Sequence, residues 1–179
     1  MSRPLRVACG AVLVVACSLS LRASTSADAD LQFQLGTLLF NETRYWDALQ
    51  AFDRATHTDD ADLALRARKG KVRSALRVAE FAIARAEGEK LKTEAPRDPE
   101  ALTLYADALW SAGLFDEADA EAHAALAIDP ESGRARFGLA RSLATRSRLP
   151  EALDEAQSAS AVELAPCSST SGGPAPSVV

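Results

Sequence analysis

Small side chains recur along this chain at a nearly constant interval, and that recurrence limits the fold more than any other feature. Gly36, Gly70, Ala106 and Ala140 are separated by 34, 36 and 34 residues. Ala48, Ala84, Ala118 and Ala152 are separated by 36, 34 and 34, and Ala55, Leu91, Ala125 and Ala159 repeat those intervals. One such series could arise by chance in an alanine-rich chain, but three in step mark an internal repeat with one two-residue insertion between Gly70 and Ala84. Within a period the apolar residues fall at helical spacing. Leu102, Tyr105/Ala106 and Leu109 form one stripe, and Phe115, Ala118, Ala122 and Ala125 form a second. Alanine and leucine dominate the apolar residues, and both favour helix.

Two helices per period and small residues at fixed places describe stacked helical hairpins. Helices approach to roughly 8–10 Å only where side chains are small. Gly36, Ala106 and Ala140 are expected to face Ala48, Ala118 and Ala152 across each hairpin, with Leu109, Phe115 and Leu143 filling the spaces between. Gly113 breaks the chain between two helices, Asp116 is placed to cap the second, and Asp129-Pro130 ends it. An unrelated four-helix bundle would explain the stripes but not the period.

These residues resemble the tetratricopeptide repeat, whose pattern is W-x2-L-G-x2-Y, then A-x3-F, then P. Leu35, Gly36, Leu39, Tyr45, Ala48, Phe52 and Ala55 carry it in a first repeat at about 29–62. The third (99–132) matches most fully, through Leu102, Ala106, Leu109, Gly113, Phe115, Ala118, Ala125 and Pro130. Leu139, Ala140, Leu143, Leu149, Ala152 and Ala159 carry the fourth (133–166). Gly70, Phe81, Ala84, Leu91 and Pro96 carry the second (63–98), which departs most: Lys69 and Lys71 flank Gly70, and 70–84 lacks a glycine turn, so its helices are expected to be longer or kinked. The resemblance implies an all-α, right-handed solenoid of about four repeats. It also implies a non-enzymatic scaffold whose first helices line a groove that holds a protein or peptide partner.

Carried over from the family, the groove positions are Asp30, Phe33, Thr37 and Phe40, then Ala64, Ala67, Lys71 and Ser74. Glu100, Thr103, Asp107 and Trp110 follow in repeat three, and Arg134, Phe137, Arg141 and Ala144 in repeat four. The partner-binding candidates among them are Phe33, Thr37, Phe40, Lys71, Thr103, Asp107, Trp110, Phe137 and Arg141. Phe33, Phe40, Trp110 and Phe137 act as apolar anchors, or pack on neighbouring helices instead. Lys71 and Arg141 suit an acidic group. The Lys/Asn clamp that some family members use for chaperone tails is not reproduced, since Thr37 stands where asparagine is expected.

No chemical site is expected. Asp116, Glu117, Asp119, Glu121 and His123 spread around a helix, with Asp119 and His123 the one convergent pair. Two ligands do not make a metal site. His57 lies in a polar turn, and no nucleophile elbow, phosphate loop, dinucleotide fingerprint or zinc-protease motif occurs. No cofactor is implied. The net charge of −5 leaves nucleic acid without an electrostatic footprint.

The N-terminus reads as an address. Arg3 and Arg6 precede an apolar run, Val7 to Ala16, which is the layout of a secretory signal and too short to span a bilayer. Val14-Val15-Ala16-Cys17 resembles the lipobox of bacterial lipoproteins, which implies acylation of Cys17. Cleavage after Ala23 or Ala29 competes with it. Residues 1–17 are thus expected to be leader, 18–29 a flexible tether, 30–166 the solenoid and 167–179 a disordered tail. Export to the periplasm or an outer-membrane anchor follows. Cys9, Cys17 and Cys167 form no disulfide framework. Two further readings stay open. The chain could be the regulatory arm of a larger hydrolase or peptidase, or it could self-associate through an uncapped last repeat.

Overall fold

The computed structural model describes residues 26–164. The leader, Cys17 and the tail at 167–179 lie outside that range. The described residues form eight helices and no strand. They are α1 (26–41), α2 (Tyr45–Ala55), α3 (Ala61–Arg77), α4 (Phe81–Glu94), α5 (Pro99–Ser111), α6 (Phe115–Ile128), α7 (Gly133–Thr145) and α8 (Leu149–Leu164). Each packs on the next, and the odd-numbered helices α3, α5 and α7 also touch one another in sequence, as in a solenoid of hairpins. Residues 26–29, expected to be tether, belong to α1. Ala29 is buried there, and burial of a small apolar side chain draws the Ser-Ala-Asp segment into the helix.

The hairpin turns carry the period in their backbone. Thr43, Ala79, Gly113 and Ser147 adopt left-handed conformations, with φ of 63°, 61°, 81° and 61°. In each turn the following amide donates to the carbonyl five residues earlier: Arg44 to Leu39, Glu80 to Ala75, Leu114 to Leu109 and Arg148 to Leu143, at 2.9–3.0 Å. This is the Schellman closure, which satisfies carbonyls left open at a helix end. It needs one left-handed residue, and only Gly113 is of the type that adopts it without cost. The second repeat therefore turns without glycine, on Ala79. Even-numbered helices start straight from these turns, and α2, α4 and α6 have no side-chain cap. Asp116 is accordingly not a cap: Leu114 holds that position, and the Asp116 carboxylate reaches Arg146 at 2.8 Å. The odd-numbered helices follow longer connections and are capped, by Asp60, Asp98 and Ser132.

The small residues are buried as the sequence requires. Ala48 is 0% exposed, Ala106 7%, Ala118 4% and Ala140 6%. Phe52 projects from α2 between α1 and α3, where both helices present glycine. A Cβ would come within 2.8 Å of its ring at Gly36 and within 2.6 Å at Gly70. Gly70 is nevertheless not the counterpart of Gly36. Counted back from the left-handed turn residue, the counterpart is Val72, which is fully buried beside Ala75, Ala84 and Leu91. The inserted residues therefore precede Val72. Helix α2 has 11 residues where α4 and α6 have 14, whereas α3 has 17 where α5 and α7 have 13. One helix stops early and the next begins a turn sooner.

Candidate functional site

Once α3 is set by its turn, the residues lining the inner face fall into register. They are Asp30, Phe33, Thr37 and Phe40 on α1, and Arg66, Lys69, Arg73 and Leu76 on α3. Glu100, Thr103, Asp107 and Trp110 follow on α5, then Arg134, Phe137, Arg141 and Ala144 on α7.

The α3 set corrects the expectation from sequence. Lys71 is not in the groove: its ammonium lies 2.7 Å from Asp53 and 2.9 Å from Glu87, between α2 and α4 on the opposite side. Ala67 and Ser74 are fully buried, and Ala64 lies on that same misassigned register. The cause is geometric. Residues on a helix are 100° apart, so a register counted from Gly70 instead of Val72 turns the assigned face by about 160°. Burial works against the Lys71 ammonium, but Asp53 and Glu87 more than reverse it and lift its pKa above the ordinary lysine value. Arg68 joins the same cluster at 2.7 Å from Glu87. This buried network ties α3 to α4 and is structural.

Between α1 and α3 the groove opens into a cleft of about 380 Å³. Phe33, Phe40 and Phe52 form its apolar wall, and Arg66, Lys69 and Arg73 its cationic one. Phe33 packs against Phe52 with ring centroids 5.8 Å apart, and the Arg66 guanidinium lies 4.9 Å over the Phe33 ring. Phe40 meets Tyr45 edge-on at 5.1 Å. Thr37 is exposed, its hydroxyl donating to the Phe33 carbonyl at 3.0 Å. Lys69 is held by Asp98 at 2.5 Å and Glu100 at 2.8 Å, and Glu100 also accepts from Arg73. Burial lowers the Arg73 pKa, and the neighbouring charge of Arg134 lowers it further.

The far half of the groove is filled by its own side chains and leaves about 10 Å³ of space. Arg134 grips Asp107 through Nε at 3.1 Å and Nη2 at 2.9 Å, and Arg141 holds the other carboxylate oxygen at 2.9 Å. The Arg141 guanidinium lies 3.8 Å over the Trp110 ring. Thr103 is buried and its hydroxyl donates to the Pro99 carbonyl at 2.7 Å, so it offers nothing to a ligand. Phe137 remains 58% exposed. Of the nine sequence-selected residues, Phe33, Thr37 and Phe40 line the open cleft, and Asp107, Trp110 and Arg141 form the closed network. Arg66, Lys69 and Arg73 were missed; the signal that finds them is their spacing from the turn.

Among the described residues no three His, Cys, Asp or Glu side chains converge as a metal site. Asp116 and Asp119 both face Arg146, and Glu121 faces Lys92. No described helix is long and apolar enough to cross a membrane.

A family model described as tetratricopeptide repeat matches residues 61–132 and 106–166, together more than half of the chain. The chain belongs to the tetratricopeptide-repeat family. Among solved structures, a thermophilic tetratricopeptide-repeat protein of Thermus thermophilus is similar over 75% of this chain and 74% of its own, with 20% identity and a TM-score of 0.68. MamA from Desulfovibrio magneticus is similar over 76% of each chain, with 20% identity and a TM-score of 0.63. A further MamA crystal structure covers 82% of this chain and 84% of its own, at 16% identity and a TM-score of 0.64. At these identities the likeness speaks for the fold. No curated protein matches the chain. Tetratricopeptide-repeat folds are in general non-catalytic modules for protein–protein interaction, and a helical-hairpin solenoid with an inner face is their architecture.

Proposed function

We propose that this protein is a non-enzymatic scaffold that holds a polypeptide partner along its inner face, within an exported or envelope complex. The observation that carries the reading is the α1–α3 cleft, where three phenylalanines and three cations surround open space. Aromatic side chains beside open, partly desolvated space are the residues on which interfaces concentrate their binding energy. Phe137 adds a fourth, exposed aromatic on the same face. Changing Phe33 and Phe40 to Ala tests this directly. Capture of partners by the tagged protein, quantified against wild type, is expected to fall at least tenfold. Unchanged capture would remove the groove from consideration.

Export rests on the leader pattern and on the lipobox-like Val14-Val15-Ala16-Cys17. Mass spectrometry of the mature protein is expected to find Cys17 as an acylated N-terminus, and an unmodified Cys17 rules the anchor out. A second reading, a regulatory arm of a larger hydrolase or peptidase, is favoured by α8, which leaves Leu149 and Leu153 exposed at 65% and 59%. The coding sequence beyond Val179 distinguishes the two.

A further inference from the structure

The two halves of the groove are built on one plan, and one half is missing a part. Arg134 and Arg141 lie thirteen and six residues before the left-handed Ser147, and they clamp Asp107, which lies six residues before Gly113. Arg66 and Arg73 stand thirteen and six residues before Ala79. They are the same two positions two junctions earlier. The aromatic platform is repeated as well, with Phe40 at the Trp110 position. The carboxylate is not: the residue matching Asp107 is Thr37, whose hydroxyl turns back to its own helix. Where the aspartate is present the space closes to about 10 Å³, and where threonine replaces it about 380 Å³ stands open. Among the described residues Arg66 makes no ion pair and only covers the Phe33 ring. The carboxylate among the cleft's lining residues, Glu100, is already shared by Lys69 and Arg73, so Arg66 is the unpaired arginine of the two.

We infer that the α1–α3 cleft is an unfilled copy of the Asp107 clamp and takes a carboxylate from an acidic polypeptide segment with an adjoining apolar side chain. The inference rests on the groove reading above and gives it a partner chemistry. The carboxylate pairs with the unpaired Arg66 and draws Arg73 from its pair with Glu100, as Asp107 sits between Arg134 and Arg141, and the apolar group lies against Phe33, Phe40 and Phe52. Charge-assisted, two-pronged arginine contacts are among the stronger and more directional hydrogen bonds. A nucleic acid is the poorer candidate, because the chain carries a net charge of −5 and this cleft is a single site.

The test uses a labelled heptapeptide, Ala-Glu-Phe-Ala-Glu-Phe-Ala, blocked at both ends, its glutamine analogue, and that analogue with a free C-terminal carboxylate. Calorimetry and fluorescence anisotropy with the wild-type chain are expected to show the glutamate peptide binding at least tenfold tighter than the blocked glutamine one. Arg66→Gln and Thr37→Asp are each expected to weaken the glutamate peptide at least tenfold, the second by supplying the missing carboxylate from within. NMR titration of Thr37→Asp gives an independent reading, in which the introduced carboxyl titrates below the ordinary aspartate range. Equal binding of the blocked glutamate and glutamine peptides, or indifference to Thr37→Asp with ordinary titration of its carboxyl, overturns the inference. The groove reading survives that outcome if Phe33→Ala still abolishes binding. Tighter binding of the free-acid glutamine peptide than of the blocked glutamate peptide moves the carboxylate from a side chain to a chain end. Binding of none of the three overturns the carboxylate assignment.

Discussion

Replacing Gly70 with alanine tests the packing that holds the first two repeats together, and the chain supplies its own control. An alanine Cβ at position 70 would lie 2.6–2.7 Å from three ring atoms of Phe52. Carbon atoms prefer about 3.5–4.0 Å, so the overlap is roughly 1 Å. The ring is confined on the sides of both glycines and of Phe33. It is 4% exposed, Gly36 lies against its other contact with a Cβ limit of 2.8 Å, and Phe33 packs on it at 5.8 Å. Overpacking of this kind costs about 1–3 kcal/mol. Exchanging glycine for alanine inside a helix returns about 1 kcal/mol, so the net loss is about 1 kcal/mol and at most about 2 kcal/mol. That corresponds to a fall in melting temperature of roughly 3–6 °C for a domain of this size. Gly138 occupies the same position in α7, nine residues before its left-handed turn, and a Cβ there meets nothing within 4 Å. Gly138→Ala is therefore expected to raise stability by about 0.5–1 kcal/mol through helix propensity alone. Urea unfolding followed by circular dichroism at 222 nm measures both. If Gly70→Ala stabilises as Gly138→Ala does, the close approach of Phe52 is not what requires glycine. Partial rescue of Gly70→Ala by Phe52→Leu would locate the clash in the ring.

Ala79→Gly should stabilise the chain by about 0.5–1 kcal/mol, because a left-handed non-glycine residue is strained; a lower urea midpoint would contradict the turn geometry. Burial alone would raise the Glu87 carboxyl, but hydrogen bonds from Lys71 and Lys90 bring its pKa below the ordinary value. A depressed carboxylate contributes stability that is complete above its unfolded-state pKa of about 4.3 and is lost as pH falls through the folded value. Urea midpoints taken from pH 6 to pH 3 should therefore fall, with a shallower slope in Glu87→Gln; equal slopes would show that this network does not govern the acid limb. Lys71 has the opposite sign, and its contribution fades only as pH rises past its elevated folded value. Lys71→Ala should leave partner capture unchanged while lowering stability by roughly 1–3 kcal/mol, since it leaves Asp53 exposed to solvent but Glu87 less satisfied; a selective loss of capture would return Lys71 to the groove.

The fold was readable because its main requirement is steric and local. A helix pair can close only on small residues, so Ala48, Ala106, Ala118 and Ala140 had to recur, and a recurring small residue is visible without coordinates. The groove positions of α1, α5 and α7, carried over from the family pattern, keep the register that the turns set. The face of α3 did not, because Gly70 is small for another reason: it makes room for Phe52 of the preceding hairpin, so a landmark belonging to one contact passed for a landmark of another. Three of the four turns were silent too, since Thr43, Ala79 and Ser147 take a conformation that their side chains do not announce.

Sequence by itself thus determined the helical hairpins, their number and their stacking, since these depend on which residues are small enough to be approached. Tertiary structure alone decided which half of the inner face is open. That depends on whether a carboxylate and two arginines, 27 and 34 residues apart in the chain, meet in space. Across α5 and α7 they do; across α1 and α3 Arg66 stands unpaired among the described residues, Arg73 is held by Glu100, and threonine takes the place of the acid.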